Sequence, residues 1–201
     1  MPTVIVATGN PGKLGEMQGY LTDLGWELAL KPPEIEIEET GTTFLENARL
    51  KASEVAKSLG EWAIADDSGL MVDALDGAPG LYSARYGPTD AARIERLLRE
   101  LGTTANRTAQ FVCAIALARP DGTIALQTEG VCPGEIAQQP SDGGGFGYDP
   151  VFYVPTAGKT FAEMARAEKE RLSHRGVAFA QLMPALRALD LETAARSGAP
   201  S

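Results

Sequence analysis

Histidine and cysteine are scarce in this chain: one His and two Cys in 201 residues. The single histidine is His174, and Cys113 and Cys132 match neither a metal-ligand spacing nor a disulfide framework. A zinc-built fold and a disulfide-stapled secreted fold are therefore excluded, and no Cys–His or Ser–His–Asp catalytic set can be assembled. Positive charge is short as well. Eighteen Lys and Arg against 27 Asp and Glu leave a net charge of −9, the wrong sign for gripping a nucleic-acid backbone. Any anion site must be local, a few basic residues focused in one pocket. No apolar run reaches the roughly 18 residues of a membrane span. An apolar strand begins already at Val4, which leaves no room for a secretory leader, so the cytoplasm is the expected compartment.

What remains is the composition of an ordinary globule, 44% hydrophobic and 22% charged. This length suits one domain over residues 1–190, or one core split into two lobes, followed by an Ala-, Ser- and Gly-rich tail over 191–201 that is expected to fray. The first strand, residues 4–7, feeds a helix carrying Leu14, Met17, Leu21 and Leu24 and stopped by Gly25. Residues 31–40 read as a short strand leading into an acidic loop. Thr43 and Glu46 predict a capping box for a helix with Leu45, Ala48, Ala52, Val55, Ala56 and Leu59 inward. Residues 62–65 and 70–72 read as two short strands.

Residues 89–101 predict a helix with Ile94, Leu97, Leu98 and Leu101 inward. Residues 109–118 and 123–131 flank an Arg-Pro-Asp-Gly turn and predict a hairpin, and residues 151–154 one more strand. Two helical stretches finish the pattern, 160–171 and 174–189. The second buries Phe179, Leu182, Met183, Leu186 and Leu189 and is expected to kink at Pro184. Hairpins mixed with strand–helix units give an α/β fold on a mixed sheet.

Four segments carry chemistry. Thr8-Gly9-Asn10-Pro11-Gly12-Lys13 lies between the first strand and its helix, the layout of a phosphate cradle. Its spacing is not that of G-x-x-x-x-G-K-[ST], and Leu14 stands where the P-loop hydroxyl belongs, which argues against a P-loop kinase or GTPase. A tight turn with an exposed lysine would read the same way. Asp66-Asp67-Ser68-Gly69 follows an apolar strand, and neighbouring strand side chains face opposite ways, so one aspartate at most faces a given site. With an acid from Glu36, Glu38 or Glu39 it would make a carboxylate pair suited to Mg²⁺, although solvated turn acids are the commoner fate of such residues. Residues 141–150, Ser-Asp-Gly-Gly-Gly-Phe-Gly-Tyr-Asp-Pro, let backbone approach a flat ligand while a ring is offered for stacking. Ser173-His174-Arg175-Gly176 opens a helix, with Lys169 one turn earlier. Lys51, on the polar side of the capped helix, is a further candidate phosphate contact.

In order along the chain, these strings resemble the inosine/xanthosine triphosphate pyrophosphatases. The matches are Thr8 to Lys13 with Glu16; Glu38-Glu39-Thr40-Gly41 with Phe44, Glu46, Asn47, Ala48, Lys51 and Ala52; and Ala65 to Leu70. Gly77-Ala78-Pro79-Gly80 with Tyr82 to Tyr86, Gly145 to Pro150, and Ser173 to Gly176 complete the set. The resemblance implies an elongated, bent mixed sheet flanked by helices, with two lobes around a nucleotide-binding cleft, in a homodimer. It implies hydrolysis of ITP, dITP or XTP to monophosphate and pyrophosphate with Mg²⁺.

Matched position by position, it implies Thr8, Gly9, Asn10, Pro11, Gly12 and Lys13 as the phosphate loop, with Lys13 also catalytic. Glu38 and Asp67 fall on the metal-linked carboxylates, Asp67 being also the proton acceptor. Lys51, Ser68, Phe146, Gly147, Tyr148, Asp149, Lys169, His174 and Arg175 become substrate contacts. Neither nucleic acid nor membrane is an expected partner. The rival class is a purine nucleotide sensor that has lost the chemistry; its mark would be loss of Asp67 or its acidic partner, and both are present.

Overall fold

Alternation of short apolar runs with amphipathic segments produces seven strands and five α-helices among the residues described, 2–189, in a computed structural model. The strands are β1 (Thr3–Val6), β2 (Glu27–Leu30), β3 (Trp62–Val72), β4 (Thr108–Ala118), β5 (Ile124–Ile136), β6 (Phe152–Val154) and β7 (Lys159–Thr160). The helices are α1 (Pro11–Leu21), α2 (Phe44–Leu59), α3 (Asp90–Leu101), α4 (Arg166–Leu172) and α5 (His174–Ala188). One sheet runs in the order β2-β1-β3-β4-β5-β6-β7. β1 pairs in parallel with β2 and β3, while β6 is antiparallel to β5 and β7. The sheet is mixed, as the combination of hairpin and strand–helix patterns requires.

The chain divides into two compact units. Among the described residues, one holds 2–67, Ala114–Gly130 and 178–189; the other holds Ser68–Cys113 and Val131–Val177. In the first, β1 is buried, since Val4 and Val6 are 0% exposed and register with Trp62 and Ile64 of β3. α2 lays Phe44, Ala48, Ala52, Val55 and Ala56 inward. Its stripe is alanine-rich, so the helix can lie close to its neighbours. Tyr20 of α1 stacks on Phe179 of α5, centroids 4.6 Å apart. The second unit closes around Phe111, Phe152, Phe161 and Leu97, with Val72, Ile136 and Val154. Phe111 meets Phe152 edge-on at 4.7 Å, an arrangement that adds about 1 kcal/mol beyond burial.

Several boundaries differ from the sequence reading, each for a physical reason. Residues 62–65 and 70–72 are not separate strands: β3 continues through Asp66, Asp67 and Ser68, because lysines on other elements neutralise its acids. The strand expected in 31–40 is instead β2 at Glu27–Leu30, and no regular element occupies 31–40, where two prolines and four acids leave little to pair. β5 runs to Ile136, five residues past the expected end, with Val131, Pro133 and Glu135 exposed and the alternate residues buried. β7 was not read, being two residues long.

The stretch 160–171 is not one helix. A 3₁₀ turn at Phe161–Glu163, closed by a capping box between Thr160 and Glu163, precedes α4. The box expected at Thr43 is half formed. Thr43 Oγ1 accepts from Glu46 N at 3.1 Å, but Glu46 reaches past it to Thr42 N at 2.7 Å. α5 continues through Pro184 to Ala188, with Phe179, Leu182 and Leu186 buried. The tail at 191–201 lies outside the described residues. No helix among the described residues is long and apolar enough to cross a membrane.

Candidate active site

β1 ends at Val6, and the next residues turn into α1 under their own hydrogen bonds. Thr8 Oγ1 accepts from Asn10 N at 3.1 Å, and Asn10 Oδ1 accepts from Gly12 N at 2.9 Å. Asn10 is the N-cap of α1, with Pro11 in its first turn, where the missing N–H costs nothing. Two of the amides that the sequence offers to an anion are thus engaged within the turn. Gly9 and Asn10 are exposed. Lys13, in the first turn of α1, places Nζ 3.0 Å from Asp66 Oδ2, and the Asp66 side chain is fully buried.

Asp67, the next residue along β3, faces the other side of the strand and meets α2. Lys51 Nζ lies 2.9 Å from Asp67 Oδ1 and 2.8 Å from Glu39 Oε1, so one ammonium bridges two carboxylates. Asn47, buried one turn earlier on α2, donates from Nδ2 to Asp67 Oδ2 at 3.2 Å and accepts Gly41 N–H at 2.8 Å. A Cβ on Gly41 would sit 2.6 Å from Asn47 Oδ1, so this approach requires glycine. Burial, partly offset by Lys51, raises the pKa of Asp67 above the ordinary carboxylate value. Burial works against the charge on Lys51 too, but Asp67, Asp66 and Glu39 overcome it and hold that ammonium above its usual pKa. The result is a basic carboxylate fixed at both oxygens, beside a firmly protonated lysine.

In the second unit, Asp149 is the centre. It is 4% exposed, and its Oδ2 accepts both Lys169 Nζ at 2.7 Å and the Phe146 N–H at 2.9 Å. The Lys169 ammonium also lies 4.8 Å from the Phe146 ring centroid, within cation–π range. A Cβ on Gly145 would fall 2.1 Å from Asp149 Oδ2, so the loop needs glycine there to fold over the carboxylate. Tyr148 is buried and donates to Ser83 O at 2.8 Å. It anchors the loop to the core rather than presenting its hydroxyl to a ligand. His174 stacks on Phe111, centroids 4.6 Å apart at 12°. Arg175 is 2% exposed and donates from Nη2 to Ser68 Oγ at 3.3 Å. These two follow a sharp corner between α4 and α5. Ser173 Oγ accepts Gly176 N–H at 3.1 Å, and a Cβ on Gly176 would lie 1.9 Å from Glu170 O.

Most sequence-selected residues therefore fall into two groups: Lys13 and Lys51 with Asp66 and Asp67, and Phe146, Asp149, Lys169, His174 and Arg175 with Ser68. Glu38 is exposed, and it is Glu39 that meets Lys51. Lys169, read as a substrate contact, is paired with Asp149. The roles of Asp66 and Asn47 escaped the sequence reading, which offered Glu36, Glu38 and Glu39 alike as the acid beside the β3 aspartates. Asn47 had a signal, as a polar residue inside the apolar stripe of α2 one turn before Lys51. Among the described residues no group of three or more His, Cys, Asp and Glu could hold a metal ion. Mg²⁺, however, takes one or two carboxylates together with phosphate oxygens and water, and the hard oxygen pair Asp67–Glu39, bridged by a lysine, fits that demand.

Comparison with known proteins identifies the family. The Ham1 family model matches residues 4–185. A dITP/XTP pyrophosphatase of Nostoc is 64% identical over 92% of this chain and 95% of its own. One from Synechocystis is 63% identical over 91% and 94%. Among solved structures, a HAM1 protein from Coxiella burnetii superposes with a TM-score of 0.85 at 44% identity, covering 94% of this chain and 100% of that one. With the paired lysines and aspartates of β3, the glycine loop over Asp149 and this likeness along nearly its whole length, the chain belongs to the Ham1 family.

Proposed function

We propose that this protein hydrolyses non-standard purine nucleoside triphosphates, dITP, XTP and ITP, to the monophosphate and pyrophosphate. The observation that carries the reading is the pair of adjacent β3 carboxylates, each bound by a lysine from a different helix, in a chain 64% identical to a dITP/XTP pyrophosphatase. Water attacks the α-phosphorus, the bond to the bridging oxygen breaks, and pyrophosphate leaves with the electron pair. Asp67 takes the proton from the attacking water; its raised pKa makes it a stronger base than an ordinary carboxylate. Lys13 and Lys51 neutralise charge that grows on the leaving pyrophosphate. Asp66 and Asn47 hold Lys13 and Asp67 in place beforehand.

Asp67 and Glu39, rather than the exposed Glu38, would hold Mg²⁺. When bound, the ion supplies further charge neutralisation and lowers the pKa of water. The Thr8–Lys13 turn is assigned to the phosphates. Phe146 to Asp149, with Ser68, Lys169, His174 and Arg175, is assigned to the base. A 6-keto purine offers an acceptor at C6 and a donor at N1, while adenine offers the reverse. His174 and Arg175 can donate to the keto oxygen, and the Asp149 carboxylate can accept from N1–H. Adenine would leave these buried groups mismatched, a loss that can reach ~10⁴-fold in specificity. A homodimer in the cytoplasm completes the proposal, on the family's habit alone.

The test is pyrophosphate release from ITP, XTP, dITP, GTP and ATP, with and without Mg²⁺. We expect kcat/KM for ITP, dITP and XTP to exceed that for ATP strongly, and activity to require the metal. Equal turnover of ITP and ATP would remove the base reading. No turnover of any of them would favour the rival reading of a nucleotide sensor.

A further inference from the structure

We propose that Asp90, at the start of α3, is a positioning residue that holds the glycine loop in its base-binding shape; the inference rests on the assignment of residues 146–149 to the base. The loop has glycine at four of five positions from 143 to 147, three of them at positive φ: Gly143 (147°), Gly145 (97°) and Gly147 (62°). Such a segment loses more conformational freedom on ordering than any other composition, so something must fix it. Part of the restraint is internal, through Asp149 and the bond from Gly144 N to Ala162 O at 3.0 Å. Packing contributes little on the side of α3. A cavity of about 540 Å³ lies there, lined by Ile94, Leu98, Pro140, Phe146 and Pro150 among others, and groups facing empty space forgo van der Waals support.

Across that gap Asp90 reaches the loop. Its Oδ2 accepts the Gly147 N–H at 2.7 Å, a charge-assisted bond to the residue between Phe146 and Tyr148. The carboxylate is itself oriented. Its Oδ1 takes Arg93 Nη1 at 2.7 Å, and Arg93 Nε donates to Gly87 O at 3.0 Å, so the second oxygen is left aimed at the loop. The influence of Asp90 falls on where Phe146 and Asp149 sit, and hence on base binding and selection.

The experiment compares Asp90→Ala and Asp90→Asn with the intact protein, in steady-state kinetics on ITP and ATP with Mg²⁺ and in hydrogen exchange of the Gly147 amide without nucleotide. For Asp90→Ala we expect kcat/KM for ITP to fall by ~10-fold or more, carried mainly by KM, because small misplacement of binding groups is costly. The ITP-to-ATP ratio should fall with it, and the Gly147 amide should exchange faster. Asp90→Asn keeps an acceptor oxygen and should recover most of both. If Asp90→Ala folds poorly, Asp90→Ser, which keeps a polar first turn but is too short to reach Gly147, takes its place. Wild-type KM and unchanged Gly147 exchange in the Ala variant would overturn the proposal. So would Asn as damaged as Ala, which would put the effect in helix charge, or a loss confined to kcat and equal for both substrates. An intact protein that does not prefer ITP would instead defeat the base reading, leaving the Gly147 exchange to report on the tie alone.

Discussion

Asp66 and Asp67 are neighbours with opposite duties, because successive strand residues face opposite ways. Asp67→Asn should lower kcat for ITP by at least ~10²-fold, the scale of a lost general base. Since Asp67 is buried and bonded at both oxygens rather than lying in a turn, a shift in melting temperature should accompany that loss. Turnover near wild type would remove Asp67 from the chemistry. Lys13 is bound to a buried carboxylate, so Lys13→Ala should lose both kcat and stability, the latter by about 3 kcal/mol in denaturant unfolding. Adding Asp66→Asn should return part of the stability and none of the kcat, and recovery of both would mean that Lys13 serves the fold alone. Which residue types mattered was legible in the sequence. Their pairings were not, because Lys13–Asp66 and Lys51–Asp67 join positions 53 and 16 residues apart.

At the level of elements, periodicity located α2 and α3 well, since each buries an apolar stripe; it was looser for α1, which buries Met17 and Leu21 and gives way to a 3₁₀ turn at Thr22–Leu24, and for α5, where Met183 and Leu189 are half-buried. It failed at β3, where two aspartates and a serine looked like a turn. Only lysines from elsewhere in the chain allow those acids to sit in a strand. It failed again after Thr160, where capping splits the expected helix and creates the α4–α5 corner that presents His174 and Arg175. That corner depends on backbone approach at Gly176. Gly176→Ala should destabilise the protein by about 1–3 kcal/mol, the usual cost of overpacking, and raise KM for ITP. Gly9→Ala, where an added Cβ meets nothing within 4 Å, serves as the control for stability. An unchanged unfolding midpoint in Gly176→Ala would show that the corner relaxes freely.

For the whole molecule, a net charge of −9 and an anionic substrate are reconciled by locality: the lysines that matter are enclosed by the acids they serve. The mixed sheet and the family were legible because the motifs recur in order along almost the entire chain. The anchoring of the loop by Asp90 and Tyr148 was not, since neither residue carries a local pattern that marks it. The central claim is that this site directs water to the α-phosphorus of a non-standard purine triphosphate. Hydrolysis of ITP in heavy-oxygen water, with both products weighed by mass spectrometry, tests it most directly. The account predicts the labelled oxygen in the nucleoside monophosphate and unlabelled pyrophosphate; label in the pyrophosphate, or release of orthophosphate and a diphosphate, would contradict it.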